Sequence, residues 1–287
     1  MIKLKKIRLQ NYCGYKNFEL NLAEREGVKR WVVFYGPNGV GKSNILRAVE
    51  LLSSPRKLIG RLDNKLFLRR LTYHPNYNPV YIGFDKERTH LFMEAVFVTD
   101  DGSKRVVLEN NWDDKVGLTV NELPSELISA SSFIDSDNPN NMNTFQINAE
   151  DKENFLDMAG SIYNLKCYLP KESLVVEGDP ETGENIQLYS DFVITKHEDT
   201  LVHYKSFSAG EKKIATLLAA LFRRSREADV LLVDNIAQHI YYRRHLSLIE
   251  KIEKYFPEKQ IIATTHSPKI IESMESRYLV DLEQNII

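Results

Sequence analysis

Eight consecutive residues, Gly36, Pro37, Asn38, Gly39, Val40, Gly41, Lys42 and Ser43, carry the densest chemistry in this chain. The glycines let the backbone curl so that its N–H groups point inward, which makes a concave site for an anion. Lys42 adds a cation that can reach the β and γ phosphates of a nucleotide, and Ser43 offers a hydroxyl to Mg²⁺. Asn44 opens a stretch that reads as a helix to Leu52, so the positive end of its dipole falls on the phosphates. At average composition the four fixed positions would coincide in a chain this long with a probability of roughly one per cent. ATP and Mg²⁺ are therefore the expected ligands, held by Gly36 to Asn44.

Three other stretches have chemical potential. Asp234 ends the apolar run Val230–Val233, and a carboxylate at the end of a buried strand beside a phosphate loop is placed to hold Mg²⁺. Ser208, Gly210 and Glu211 open a helical pattern. Ser208 with Glu211 three residues on is a capping box, and the same Ser-x-Gly start presents a hydroxyl, backbone N–H groups and a dipole to an anion. His266 lies in Thr264-Thr265-His266-Ser267-Pro268, just past another strand, where it could meet a γ-phosphate; taken alone, such a histidine is more often a surface or core residue.

These groups need a frame. Trp31–Tyr35 is a solid apolar run that suits a strand buried on both faces, and it leads directly into the loop at 36–43. Residues 2–9 and 18–22 alternate like strands, and 90–99 with 104–109 read as a hairpin turning at 100–103. Residues 54–79 read as a lid or surface excursion and 135–143 as a loop. Helices are predicted over 152–165, 209–224 and 240–255, and further strands over 186–195, 200–205, 230–233 and 260–264.

The bulk numbers exclude several classes. The chain has 287 residues, 43% hydrophobic and 27% charged, which suits an ordinary globular protein with a real core. A net charge of −2 gives no global field for nucleic acid, so DNA contact would need a local patch. Arg56, Lys57, Arg61, Lys65, Arg69 and Arg70 form one such group, and Arg223, Arg224 and Arg226 another, although charge runs more often form a solvated face. Two distant cysteines, Cys13 and Cys167, make neither a disulfide framework nor a metal site. With no apolar stretch of membrane-spanning or signal type, the expected location is the cytoplasm, without a membrane partner.

The order and local sequence of Gly36–Leu46, Phe207–Glu211, Leu231–Asp234 and Thr264–Pro268 resemble the ABC-type ATPase head, and more narrowly its RecF, structural-maintenance-of-chromosomes and OLD-nuclease branch. The resemblance covers about residues 1–53 and 188–287. It implies an α/β P-loop NTPase head with a mixed central sheet, an N-terminal antiparallel β subdomain and a helical lobe. The whole chain, 1–287, would be a single head: a P-loop half at about 1–53, an inserted lid, hairpin and helical region at about 54–187, and a signature, Walker B and His-switch half at about 188–287. It further implies a head-to-tail homodimer around two ATP molecules, in which Ser208 and Gly210 reach the partner's γ-phosphate and His266 senses it. A family glutamine that senses Mg²⁺ is matched by Gln146, for which a plain surface role is the commoner reading.

One position departs from the pattern. The family usually has Asp-Glu where this chain has Asp234-Asn235, and the glutamate aligns the attacking water. An amide orients water but cannot take its proton, and a positioned base is worth about 10²–10⁴-fold. Slow or partner-dependent hydrolysis is expected, with Glu211 and His239 as the substitutes in view. The branch implies a role in DNA repair or antiviral defence beside a separate effector such as a nuclease, because the sequence shows no sustained heptads and no second carboxylate cluster. The alternatives are an ATP-locked scaffold and, less favoured, the ATP-binding subunit of a transporter, in which Gln generally stands at the place of Glu211.

Overall fold

The computed structural model describes residues 1–13, 15–25, 27–53, 91–111, 117–121, 131–135, 145–178 and 185–283. The basic group between Arg56 and Arg70 lies outside these residues, as do the rest of the 54–79 excursion and most of the expected loop at 135–143.

The N-terminal part is an antiparallel sheet. Its strands begin with β1 (Lys3–Tyr12) and β2 (Tyr15–Asn21), followed by the short ribbon β3 (Ala23–Glu24) and β4 (Gly27–Val28). After the P-loop strand β5 (Trp31–Tyr35) and helix α1 (Lys42–Ser53) come β6 (Phe92–Thr99), β7 (Gly102–Asn111) and β8 (Gly117–Asn121). The order is β2-β1-β6-β7-β8. The expected hairpin is present, but its turn is only Asp100-Asp101, since Thr99 already pairs with Gly102.

A second sheet carries the site. It adds β9 (Ser131–Asp135), β16 (Val230–Asp234), β17 (Gln260–Thr264) and β18 (Leu279–Asp281) to β5, in the order β18-β5-β17-β16-β9. Every described pairing in it is parallel. The mixture of directions expected for the central sheet is thus divided between this parallel sheet and the antiparallel N-terminal one.

The apolar runs have a clear cause. Val32, Phe34, Val230, Leu232 and Ile262 face α1 and the N-terminal sheet, whereas Trp31, Val33, Leu231, Val233, Ile261 and Ala263 join the core on the opposite face. A strand covered on both sides has no polar face, so alternation disappears from its sequence.

The second core is built with α2 (Lys152–Tyr163), α3 (Ala209–Glu227), α4 (His245–Tyr255) and α5 (Pro268–Ser273). Small antiparallel strands edge this lobe: β10 (Ile147–Asn148), β11 (Cys167–Tyr168), β12 (Leu174–Gly178), β13 (Asn185–Tyr189), β14 (Val193–Thr195) and β15 (Leu201–His203). The single strand expected over 186–195 is two strands in different sheets, and the one expected over 200–205 ends at His203. Helix α2 stops at Tyr163 because Asn164 turns left-handed at φ 57°.

The helix expected from Ile240 begins only at His245. Tyr241, inside the expected range, has non-helical backbone at φ −59°, ψ 129°, and a 3₁₀ turn over Tyr242–Arg244 precedes α4. Among the described residues no helix is long and apolar enough to cross a membrane.

Candidate functional site

Strand order brings the site together. Strand β17 lies between β5 and β16, so the segment Thr265–Ser267 leaves the sheet between the P-loop and Asp234. Lys42, Asp234 and His266 are consequently close enough to act on one another's charge. A cleft of about 670 Å³ opens at this edge, walled by Asn38, Asn235, Gln238, His245, Thr265 and His266 among others. Ligands bind at this end of the strands in open parallel sheets.

The loop itself has the shape its glycines suggest. Gly36, Gly39 and Gly41 have φ of 137°, 81° and 97°. Gly41 has a second reason to lack a side chain: a Cβ there would stand 2.7 Å from Tyr15 Oη. That hydroxyl donates to the Val40 carbonyl at 3.1 Å, and Tyr12 donates to Asn44 O at 3.1 Å, so β1 and β2 brace the loop and α1. Lys42 is buried, and its ammonium donates to Gly36 O and Pro37 O at 2.8 Å each. Burial pulls the Lys42 pKa below its ordinary value, against the opposing pull of Asp234.

This donor set fits a triphosphate. It combines a buried ammonium with a helix whose first turn contains no acidic residue to offset its dipole. It also fits Mg²⁺ bound partly through phosphate. Among the described residues no group of three His, Cys, Asp or Glu side chains could cage a metal, and Mg²⁺ sites commonly use one or two protein oxygens with phosphate and water. Ser43 and Asp234 are the oxygens on offer.

Asp234 is buried and its Oδ1 accepts a hydrogen bond from Thr264 Oγ1 at 2.5 Å. Asn235 follows, with its N–H on the same Thr264 oxygen at 2.8 Å. Burial first, and then Lys42, lower the His266 pKa, while Asp234 raises it; the net shift favours the neutral ring. A neutral imidazole can hydrogen-bond a phosphate or accept a proton.

The signature segment sits elsewhere. Ser208 caps α3: its Oγ accepts the Glu211 N–H at 3.3 Å, and Glu211 Oε2 accepts the Ser208 backbone N–H at 2.8 Å, completing the expected capping box. Lys196 reaches Glu211 Oε1 at 2.8 Å, and Tyr163 donates to Glu211 O at 2.5 Å. Burial raises the Glu211 pKa, but the bonds from Lys196 and Ser208 outweigh it and hold the carboxylate below its usual range. Ser208, Gly210 and Glu211 do not line the cleft, and neither does Gln146, which precedes β10. His239 points toward α3, with Nε2 3.1 Å from Lys213 Nζ, so neither substitute base considered from the sequence faces the cleft.

Three residues of this neighbourhood, His245, Lys196 and Tyr15, lie outside all four motifs, and Thr264 lies in one of them without a role of its own.

Comparison with known proteins agrees with this fold. The head domain of an SMC protein from Thermotoga maritima superposes with a TM-score of 0.59 at 16% identity, over 97% of this chain and 94% of that one. The recombination mediator RecF with an ATP analogue gives 0.51 at 14% identity, over 98% of each chain. Among curated proteins, the Septu protein PtuA of Bacillus mycoides (strain KBAB4) is 23% identical over 99% of this chain and 40% of its own length. The replication and repair protein RecF of Chlorobium phaeobacteroides (strain BS1) is 29% identical over 58% of this chain and 41% of its own. The chain thus spans about two-fifths of the length of these relatives. Residues 3–287 match the family described as the RecF/RecN/SMC N terminal domain, and the chain belongs to that family.

Proposed function

We propose that the protein is a single ATPase head, residues 1–287, that binds ATP and Mg²⁺ at its own P-loop and closes on a second copy. Lys42 and the Gly36–Asn44 backbone bind the phosphates. Ser43 and Asp234, with Gln146 as a further candidate, hold the metal. His266 meets the γ-phosphate in the same cleft. Ser208 and Gly210 serve the partner's nucleotide.

The observation that carries this reading is the separation within one chain. His266 lines the cleft and feels the charges of Lys42 and Asp234, whereas Ser208, Gly210 and Glu211 do not line it, and the charge that acts on Glu211 is that of Lys196. Gly210 adds support. A Cβ there would meet nothing within 4 Å, so the chain has no internal reason for a glycine in the first turn of α3. Glycine in a helix costs about 0.8–1 kcal/mol relative to alanine, which suggests that something outside the protomer approaches this turn.

Asn235 favours slow turnover, and with it a second reading as an ATP-locked scaffold. Among the described residues no carboxylate lines the cleft. The likeness to Septu PtuA and RecF supports a place in antiviral defence or DNA repair, with a separate protein effector and DNA as candidate partners. A third relative, the probable ATPase of retron Ec83 from Escherichia coli, points the same way over 30% of this chain. Cys13 and Cys167 form no disulfide, which accords with the cytoplasm.

The test pairs binding with turnover. The wild type should bind ATP–Mg²⁺, Lys42→Ala should not, and phosphate release should stay below about one per second. Brisk turnover would refute the slow head, and no ATP binding would refute the whole reading.

A further inference from the structure

The loop after β16 is tied to the end of β17 at two points. At its head, Asn235 N–H donates to Thr264 Oγ1 at 2.8 Å and Ile236 N–H donates to Thr264 O at 3.0 Å. At its tail, the connection runs through one side chain. His245 Nε2 lies 2.8 Å from the Ile240 carbonyl oxygen, and its Nδ1 lies 2.6 Å from Ser267 Oγ.

The partners fix the tautomer. A carbonyl oxygen only accepts, so Nε2 carries the proton. In the neutral ring Nδ1 is then an acceptor, and the Ser267 hydroxyl donates to it. The same Ser267 oxygen accepts the Ile270 N–H at 3.2 Å as the N-cap of α5. His245 is 8% exposed, and it lines the cleft that Asn235 and His266 also line. A histidine that merely filled space would need neither nitrogen satisfied by these particular loops. Here each nitrogen serves a different loop, and each loop carries a residue of the cleft.

We propose that His245 is a positioning residue that couples the Asn235 loop to the His266 loop, so that an anion met by His266 is registered at Gln238. The inference rests on the nucleotide reading above. The imidazole is rigid, so a displacement of Ser267 that turns Nδ1 also turns the N–H on the opposite side of the ring. Hydrogen bonds weaken steeply away from linearity. The Ile240 carbonyl therefore follows the ring, or the bond to it is lost. The head of the loop, Asn235 and Ile236 pinned by Thr264, stays with the sheet, so the movement is taken up across residues 237–240, where Gln238 faces the cleft.

Hydrogen–deuterium exchange on the full chain, with and without ATP–Mg²⁺, tests this. In the wild type, ATP should change exchange in 235–240 and in 264–270 together. In His245→Phe, compared at saturating ATP–Mg²⁺ so that any change in affinity does not enter, the change should be confined to 264–270. His245→Gln, which can still donate toward Ile240 but offers Ser267 no ring nitrogen, gives the same comparison if the phenylalanine variant does not fold. A variant that only loses thermal stability while both segments still respond overturns the coupling, as does a wild type in which only one segment responds. Failure of the wild type to bind ATP at all would instead remove the nucleotide reading on which the coupling depends.

Discussion

Thr264 Oγ1 donates to Asp234 Oδ1 at 2.5 Å and accepts the Asn235 N–H at 2.8 Å, so one hydroxyl orients the last residue of β16 and the residue that follows it. Thr264 is fully buried. Thr264→Val keeps the shape but strands a carboxylate oxygen and a backbone N–H, at a cost of about 2–3 kcal/mol. Thr264→Ser should recover most of that. Denaturant unfolding reads the difference, and equal losses in the two variants would show that packing, not the hydroxyl, matters.

Asn235→Glu restores the family's usual carboxylate at a position with φ 52°. Asparagine tolerates that backbone, whereas a glutamate there is strained by roughly 1–2 kcal/mol. The variant should unfold at lower temperature yet release phosphate faster, within the about 10²–10⁴-fold range of a positioned base. Single-turnover phosphate release checks it. Unchanged turnover would mean that the amide is not what slows the reaction.

Gly210→Ala separates folding from assembly. The added methyl meets open space, and the helix start should gain up to about 1 kcal/mol. ATP-dependent pairing should weaken in the same variant. A sample that is both more stable and equally able to pair would remove Gly210 from the interface.

The titration of His266 reports its neighbours. Its pKa lies below the ordinary 6.5 because burial and Lys42 disfavour the cation, so the ring stays neutral until the pH falls beneath that value. Lys42→Ala removes a positive neighbour and should move the NMR midpoint up. Asp234→Asn removes a negative one and should move it down. Shifts of the opposite sign, or none, would place the ring away from both groups.

Much of this was legible in the sequence because local chemistry dictated it. The P-loop glycines, the Ser208–Glu211 capping box and the both-sides-buried strands β5, β16 and β17 each follow from residues near in sequence. What escaped depends on distant partners. Strand β9, Ser131–Asp135, is short and polar, and it is a strand because it pairs with Val230–Asp234. The start of α4 departs from the expectation because Ile240 fits a helical apolar stripe, while the non-helical backbone at Tyr241 leaves no local mark in the sequence. Lys196 and His245 gain their partners, Glu211 and Ser267, only once the chain is folded.

The central claim is that one chain holds half of a composite site. Sedimentation of the wild type and of Ser208→Arg, each with ATP and Mg²⁺, tests it most directly. The wild type should double its mass with ATP and return to a single chain without it. Ser208→Arg should bind ATP at its own P-loop with ordinary affinity and remain a single chain. A wild type that binds ATP without changing mass, or a Ser208→Arg protein that pairs as the wild type does, would contradict the account.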